Sequence, residues 1–308
     1  MKNSTVGSLL KEASAKLKKT GVRDAEVEAE ILLSSVLSVE RGHLALSQRA
    51  PVSSAAQDHF FTFLEKRCGR VPAAYILGQT EFMGIPFLID ERVLIPRPET
   101  ELLVETALGL LRRGEPPSLF GEPPAPSRPS GPTACAGRRL VADIGTGSGC
   151  IAIALACFEP EVRIVATDID SRALEVAHLN ASRRGILNNI TWREGDLFEA
   201  LKDLEGLKFD LVVSNLPYVS QREWPSLAPE VREEPRRALD GGEEGLTILR
   251  RFVKSAPAHL VEGGWVVLEM GQGQSSAVRN ALTKAGFGKT VILKDFGEIE
   301  RVVAARYG

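Results

Sequence analysis

The sequence is poor in the residues that build metal centres and disulfide frameworks. It has four cysteines, Cys68, Cys135, Cys150 and Cys157, and no two of them form a C-x-x-C pair, which argues against a zinc ribbon or a thioredoxin-type site. They read as reduced, partly buried thiols in a reducing compartment. Its four histidines (His43, His59, His178 and His259) are scattered with no i,i+4 pair, so no metal site is expected. Neither sign of charge dominates: 38 Lys and Arg stand against 40 Asp and Glu, for a formal net charge of -2. Without a basic excess, obligate nucleic-acid binding is not expected. Long apolar runs are also missing. The longest, IAIALACF at 151–158, has 8 residues against the ~20 of a membrane span. The polar, periodic N-terminus has no signal-peptide apolar core, so a cytoplasmic protein without membrane association is expected.

What is present is ample for a core. The chain has 308 residues, 44% of them hydrophobic and 25% charged, which suits about two globular domains. Val6, Leu9, Leu10, Ala13 and Leu17 fall at helical spacing. A second helical stretch carries Val27, Ile31, Leu33, Val36 and Leu37, with Asp24, Glu26 and Glu28 near its start, where the helix dipole favours acids. A third runs from Ser53, a candidate N-cap, to Cys68, with Phe60, Phe61 and Phe63 as core candidates. Residues 1–72 are thus expected to form a small helical domain. Short β-rich pieces between glycines and prolines predict a β-hairpin over 73–95.

Residues 96–308 change register. Pro98, Glu99 and Glu101 mark a helix start, and 114–137 hold 7 of the 18 prolines, which predicts a flexible surface insertion. From 139 on, strand-like runs (139–145, 162–168, 189–196, 209–215, 264–271) alternate with helical patterns (149–158, 171–184, 246–261, 274–286). Alternation of this kind implies an α/β fold, a mostly parallel sheet covered by helices on both faces. The last two strands, VILKDF and ERVVAARY, follow one another directly and predict an antiparallel edge.

The first candidate site is DIGTGSG, 143–149, between a strand and a helix. Gly145, Gly147 and Gly149 let the backbone approach a ligand, with Thr146 and Ser148 between them and free helix amides behind. A dinucleotide fingerprint would place a third glycine at position 150, which is Cys150 here. The strand also ends in Asp143, whose charge would repel a pyrophosphate but favour an ammonium or sulfonium. A cationic nucleoside ligand fits, and S-adenosylmethionine is one. Asp168, ending the second strand, is placed to accept both ribose hydroxyls. Asp196 and Leu197, ending the third, are placed to border an adenine. Asp170 and Glu175 read as a solvated helix start.

The second is SNLPY, 214–218, ending the fourth strand. A planar amide or exocyclic amine is a poor nucleophile because its lone pair is delocalised, yet a sulfonium donor needs only that its NH₂ be held in line. The side-chain oxygen of Asn215 and the carbonyl of Leu216 are suitable acceptors for the two N–H bonds. Pro217 stiffens the turn, and Tyr218 offers a flat face to a planar group.

DIGTGSG, the strand-end Asp168 and N-x-P-Y resemble Rossmann-like S-adenosylmethionine-dependent methyltransferases of amino groups. VPAAYILGQTEF (71–82), LIPRPETE (94–101), SNLPYVS (214–220), EEPRRALDGGEEGL (233–246) and DFGEIER (295–301) narrow the resemblance to the HemK family, which methylates the glutamine N5 of peptide chain release factors. The resemblance implies a mostly parallel seven-stranded sheet with an antiparallel edge strand, preceded by a small helical domain that helps recognise the release factor, and a β-hairpin. It implies methylation of the GGQ glutamine, with Gly145 to Gly149, Asp168, Leu197 and Asn215 at the cofactor and Asn215, Leu216, Pro217 and Tyr218 at the glutamine. The sequence departs from the family's N-P-P-Y at Leu216, which keeps the accepting carbonyl. N-L-P-Y is also found in ribosomal RNA adenine dimethylases. An adenine amino group in RNA or DNA, or a ribosomal-protein glutamine, is therefore the alternative substrate.

Overall fold

The computed structural model of the chain describes residues 4–116, 139–204 and 206–308. The expected proline-rich insertion, beyond its first three residues, lies outside the described residues, as does Cys135. The chain forms two compact units. One runs to Thr80 and takes in Ile89–Glu91 and Ala228–Glu234; the other comprises Glu81–Leu88, Arg92–Leu227 and Pro235–Gly308.

The first unit is helical: α1 (Val6–Lys19), α2 (Ala25–Leu37), α3 (Arg41–Leu46), α4 (Ser54–Cys68) and α5 (Ala73–Leu77). Thr5 caps α1 in a reciprocal pair with Ser8, and Lys16, Lys18 and Lys19 occupy its last turn, where the dipole favours cations. The side chain of Ser53 caps α4 as expected, accepting from the Ala56 amide at 3.3 Å. Val6, Leu9, Ala13 and Leu17 pack with Leu32, Leu33, Phe60 and Leu64 into one core; Phe61 and Phe63 are half-buried against it. Full burial of an aromatic such as Phe60 contributes roughly 1.5–3 kcal/mol. The β-rich reading of residues 73–77 is corrected. Two alanines begin this stretch, and Ile76 gains burial in the helical core, so tertiary packing overrides the strand preference of Tyr and Ile.

After Gly78 come β1 (Gln79–Phe82) and β2 (Ile85–Leu88), a two-stranded sheet. Its two-residue turn, Met83-Gly84, has φ of 53° and 71°, the positive pair that matches a hairpin's twist.

The second unit continues with α6 (Pro98–Arg113), β3 (Leu140–Ile144), α7 (Cys150–Phe158), β4 (Arg163–Asp168), α8 (Ser171–Arg184), β5 (Ile190–Glu194) and β6 (Phe209–Ser214). The short α9 (Pro229–Arg232) belongs to the helical unit. There, Glu230 accepts from Arg67 at 2.9 Å and from Arg70 at 2.7 Å, and Arg67 also binds Glu28. The sheet unit closes with α10 (Thr247–Ser255), β7 (Leu260–Glu269), α11 (Ser275–Lys284), β8 (Phe287–Lys294) and β9 (Glu300–Tyr307).

The seven strands run in the order β5-β4-β3-β6-β7-β9-β8. The five from β5 to β7 are parallel; β9 pairs antiparallel with both β7 and β8. The antiparallel strand therefore lies one place in from the edge. Composition explains this: Val302, Val303, Ala304 and Ala305 of β9 are fully buried, whereas β8 buries only Phe287 and Leu293 and tolerates the rim. The sheet winds outward from β3 through β4 to β5, then returns to β6 on the other side of β3. The switch point thus falls between β3 and β6, where ligands of open α/β sheets bind beyond the strands' carboxyl ends. The Ser214 hydroxyl donates to the Ile144 carbonyl and pins these two strand ends together.

Candidate active site

Two loops leave the sheet at the switch point. The first, from Asp143 to Gly149, needs glycine for geometric reasons. Gly147 has φ of 56°, and Gly149 has φ of 81° in a space already filled: an added Cβ would lie 3.0 Å from Ile153 and 3.1 Å from Ala177. Gly149 therefore brings α7 close to α8 and does not line the cavity beside the loop.

The loop's amides are committed to protein acceptors. Gly145 and Thr146 donate to the Thr167 carbonyl at 2.9 and 2.8 Å, Gly147 to Asp168 at 2.8 Å, and Gly149 to the Thr146 carbonyl at 2.9 Å. Of the helix amides behind the loop that were expected to face the ligand, that of Ala152 donates to Asp143 instead. A loop bonded in this way is a shaped wall and a poor phosphate cradle.

Asp143 stands behind that wall. It is fully buried, and its Oδ2 accepts from the Thr146 hydroxyl at 2.6 Å and the Ala152 amide at 3.2 Å. Its Oδ1 has no partner among the described residues. Burial pushes its carboxyl up to about 7. The placement of Asp143 as the charge facing a sulfonium is therefore corrected: it braces the loop from inside. The carboxylate at the wall is Asp168, which lines the cavity and accepts from the Gly147 and Asp170 amides at 2.8 and 2.9 Å, leaving further lone pairs for a ligand. Burial raises its pKa too.

A cavity of about 440 Å³ opens between the loops. Gly145, Thr146, Gly147, Ser148, Asp168, Asp196, Leu197, Asn215, Leu216 and Pro217, all singled out from sequence, line it together. Asp143, Gly149 and Tyr218 do not. Asp196 accepts from Arg251 at 2.7 Å, and Leu197 has φ of 51°. Asp170, read as solvated, is buried: it caps α8, pairs with Arg172 at 2.9 Å and with Arg237 at 3.3 Å, and lines the cavity. These partners hold its carboxyl below the usual range. Glu175 is exposed as expected and pairs with Arg92.

The second loop begins at Asn215. Its Nδ2 donates to the Thr100 hydroxyl of α6 at 3.1 Å. Leu216 is buried in the sheet core, and its side chain lies close to the first loop: a Cβ added at Gly145 would sit 3.7 Å from it. The ring of Tyr218 is half-buried outside the cavity, and its hydroxyl donates to Glu269 at 3.2 Å. Burial and that carboxylate raise the phenol's pKa. Gln274 donates to the Tyr218 and Gly245 carbonyls, fixing the loop's exit. Thr100, Glu269, Arg237 and Arg251 were not assigned roles from sequence. Thr100 and Arg237 lie inside quoted motifs, but no spacing joins either to its partner.

Residues 8–78 match the PrmC N-terminal domain and 133–244 the methyltransferase small domain. A release factor glutamine methyltransferase of Geobacter sulfurreducens is 38% identical over 305 residues, 99% of this chain and 97% of the relative. One of Xylella fastidiosa is 38% identical over 284 residues, 92% and 94%. Among solved structures, the human METTL16 catalytic domain bound to an RNA hairpin aligns with a TM-score of 0.54 at 17% identity, covering 77% of this chain and 81% of that one, a likeness of fold alone. Among the described residues, no helix is long and apolar enough to cross a membrane.

Proposed function

The chain belongs to the release factor glutamine methyltransferase family, and from that premise we propose that it transfers a methyl group from S-adenosylmethionine to the side-chain amide of the GGQ glutamine of peptide chain release factors. One observation carries the reading: the glycine loop and the Asn215–Pro217 turn line a single cavity, so a bound nucleoside and a reacting amide would meet there.

The residues fit that cofactor. Asp168 has lone pairs for a ribose, and Leu197 and Ile248 give an apolar wall near Asp196 for an adenine. The committed amides of the loop suit a ligand without phosphates. Bound there, S-adenosylmethionine supplies an electrophilic methyl group on a sulfonium.

The chain's own residues do the rest. Asn215 Oδ1 and the Leu216 carbonyl accept the two N–H bonds of the glutamine amide and turn its nitrogen toward the cofactor. Both acceptors stabilise the positive charge that grows on nitrogen. No base is needed before transfer: as the N–C bond forms the methyl's bond to sulfur would break, its electron pair staying on sulfur, and the amide proton, acidic only from that point, would leave to water. Holding the reactants in line is worth up to roughly 7–11 kcal/mol of barrier. Pro217 restricts the turn, Tyr218, which lies outside the cavity, anchors the turn through its bond to Glu269, and the helical unit is the proposed release-factor recognition surface. The proposed location is cytoplasmic, in keeping with the free thiols of Cys68, Cys150 and Cys157.

The test is mass spectrometry of a release factor incubated with the protein and cofactor. One added methyl on the GGQ glutamine is expected. Labelled methyl found only in RNA overturns the reading.

A further inference from the structure

LIPRPETE, 94–101, leads into α6 beside the cavity, yet no chemical task has fallen to the side chain of its Thr100. Its Thr100 lies in the first turn of α6 and is 2% exposed. The Thr100 hydroxyl donates to Glu269 Oε2 at 2.6 Å, and Glu269, at the end of β7, is 1% exposed. The other Glu269 oxygen accepts from the Tyr218 hydroxyl. Thr100 Oγ1 in turn accepts from Asn215 Nδ2 at 3.1 Å.

We propose that Thr100 and Glu269 are positioning residues that decide which end of the Asn215 carboxamide faces the reacting nitrogen. The proposal rests on the reading that Asn215 Oδ1 accepts from the substrate amide. The logic is one of donor and acceptor polarity. Glu269 accepts at both of its oxygens here, one from Thr100 and one from Tyr218, and a hydroxyl has a single proton. With that proton held by Glu269, Thr100 offers Asn215 nothing but lone pairs. The NH₂ end of Asn215 must then face Thr100, and Oδ1 is left for the substrate. In the reversed amide, Oδ1 would oppose the Thr100 lone pairs, and the Asn215 NH₂ would oppose the N–H bonds of the substrate. Both contacts would be repulsive. An isolated asparagine has no such preference, so Thr100 on α6 completes the chemistry of the turn that follows β6.

The same relay explains why Tyr218 follows the turn. Its hydroxyl occupies the second Glu269 oxygen, so the buried carboxylate is bonded on both sides and holds its place.

The experiment compares wild type, Thr100→Val, Thr100→Ser and Glu269→Gln, as full chains with cofactor and release factor. Thr100→Val keeps shape and removes the hydroxyl; it is expected to lower kcat at least 30-fold, with KM for the release factor and cofactor affinity within threefold of wild type. Thr100→Ser restores the hydroxyl and is expected to return kcat to within fivefold. Glu269→Gln allows Thr100 to be a donor toward Asn215 and is expected to lower kcat at least tenfold. A second measurement needs no substrate. In protein labelled with ¹⁵N-asparagine, the Asn215 side-chain amide, assigned by its loss in Asn215→Ala, is expected to exchange slowly in wild type and Thr100→Ser and quickly in Thr100→Val. Should wild type leave the release factor unmethylated, the proposed substrate fails while amide exchange still decides the positioning role. The inference is overturned by Thr100→Val turning over within threefold of wild type, by Thr100→Ser as slow as Thr100→Val, by a loss confined to KM, or by equal exchange in all proteins.

Discussion

The Gly147 amide donates to Asp168 Oδ2 at 2.8 Å, which ties the middle of the glycine loop to the end of the neighbouring strand. One carboxylate thereby shapes the loop and still faces the cavity. Asp168→Ala removes the proposed ribose acceptor and the loop's anchor together. Hydrogen bonds to a charged acceptor are worth about 1.5–3 kcal/mol, so cofactor affinity is expected to fall roughly 10- to 150-fold. Calorimetric titration checks this, and an unchanged dissociation constant would place the ribose elsewhere.

Asn215→Ala removes an acceptor that works hardest when charge has developed on nitrogen. Loss of one such preorganised group costs on the order of 100- to 1,000-fold in turnover. The expected protein melts near the wild-type temperature, because Asn215 sits at a half-buried strand end, but methylates the release factor at least 100-fold more slowly. Near-normal turnover would remove Asn215 from the mechanism.

Much of this site was legible in the sequence. Sheet ligands bind at strand ends, and the strand ends could be read from runs such as LVADI and FDLVVS, each buried at all but one position. That brought Asp168, Asp196 and Asn215 to one place without coordinates. What could not be read was direction. Asp143 and Asp168 both lie at or next to the end of a strand and are both acidic, yet one is held beneath the loop by Thr146 and the Ala152 amide while the other is held at the cavity by the Gly147 amide. Thr100 and Glu269 lie 169 residues apart, and only the sheet order brings α6 to the end of β7. Asp170 was misread because an N-cap aspartate is ordinarily solvated, and nothing local announces Arg237. In the helical unit, period alone gave the long helices, whereas α5, with five residues, is too short to show one.

Arg237 and Asp170 form an ion pair at 3.3 Å between the segment after α9 and the cap of α8, and both line the cavity. The arginine is well exposed, and exposed pairs are worth about 0.2–1 kcal/mol, so Arg237→Ala is expected to weaken cofactor binding by no more than about fivefold. The difference from wild type should shrink at 0.5 M salt, on the order of which screening is nearly complete over a few ångströms. Titrations at low and high salt check this; a loss of fivefold or more that salt leaves untouched would assign Arg237 a direct contact instead.

Asp143 makes stability depend on pH in a defined direction. Its carboxyl has an ordinary value of 3.8 and is pushed up to about 7 in the folded chain, chiefly by burial and further by the neighbouring Asp168. Between those values the folded chain keeps a proton that the unfolded chain releases. Its contribution to stability is therefore complete below 3.8 and lost as pH rises through about 7. Each unit of such a shift corresponds to about 1.4 kcal/mol at most. Asp143→Asn keeps an acceptor for the Thr146 hydroxyl and the Ala152 amide but does not titrate. Measured by urea unfolding, wild type should lose stability relative to Asp143→Asn as pH is raised from about 5 to 8, with the change levelling off above the folded value. A difference that stays constant across that range would mean that Asp143 is ionised in the folded protein throughout, and that its unpartnered oxygen has found a cation or a donor.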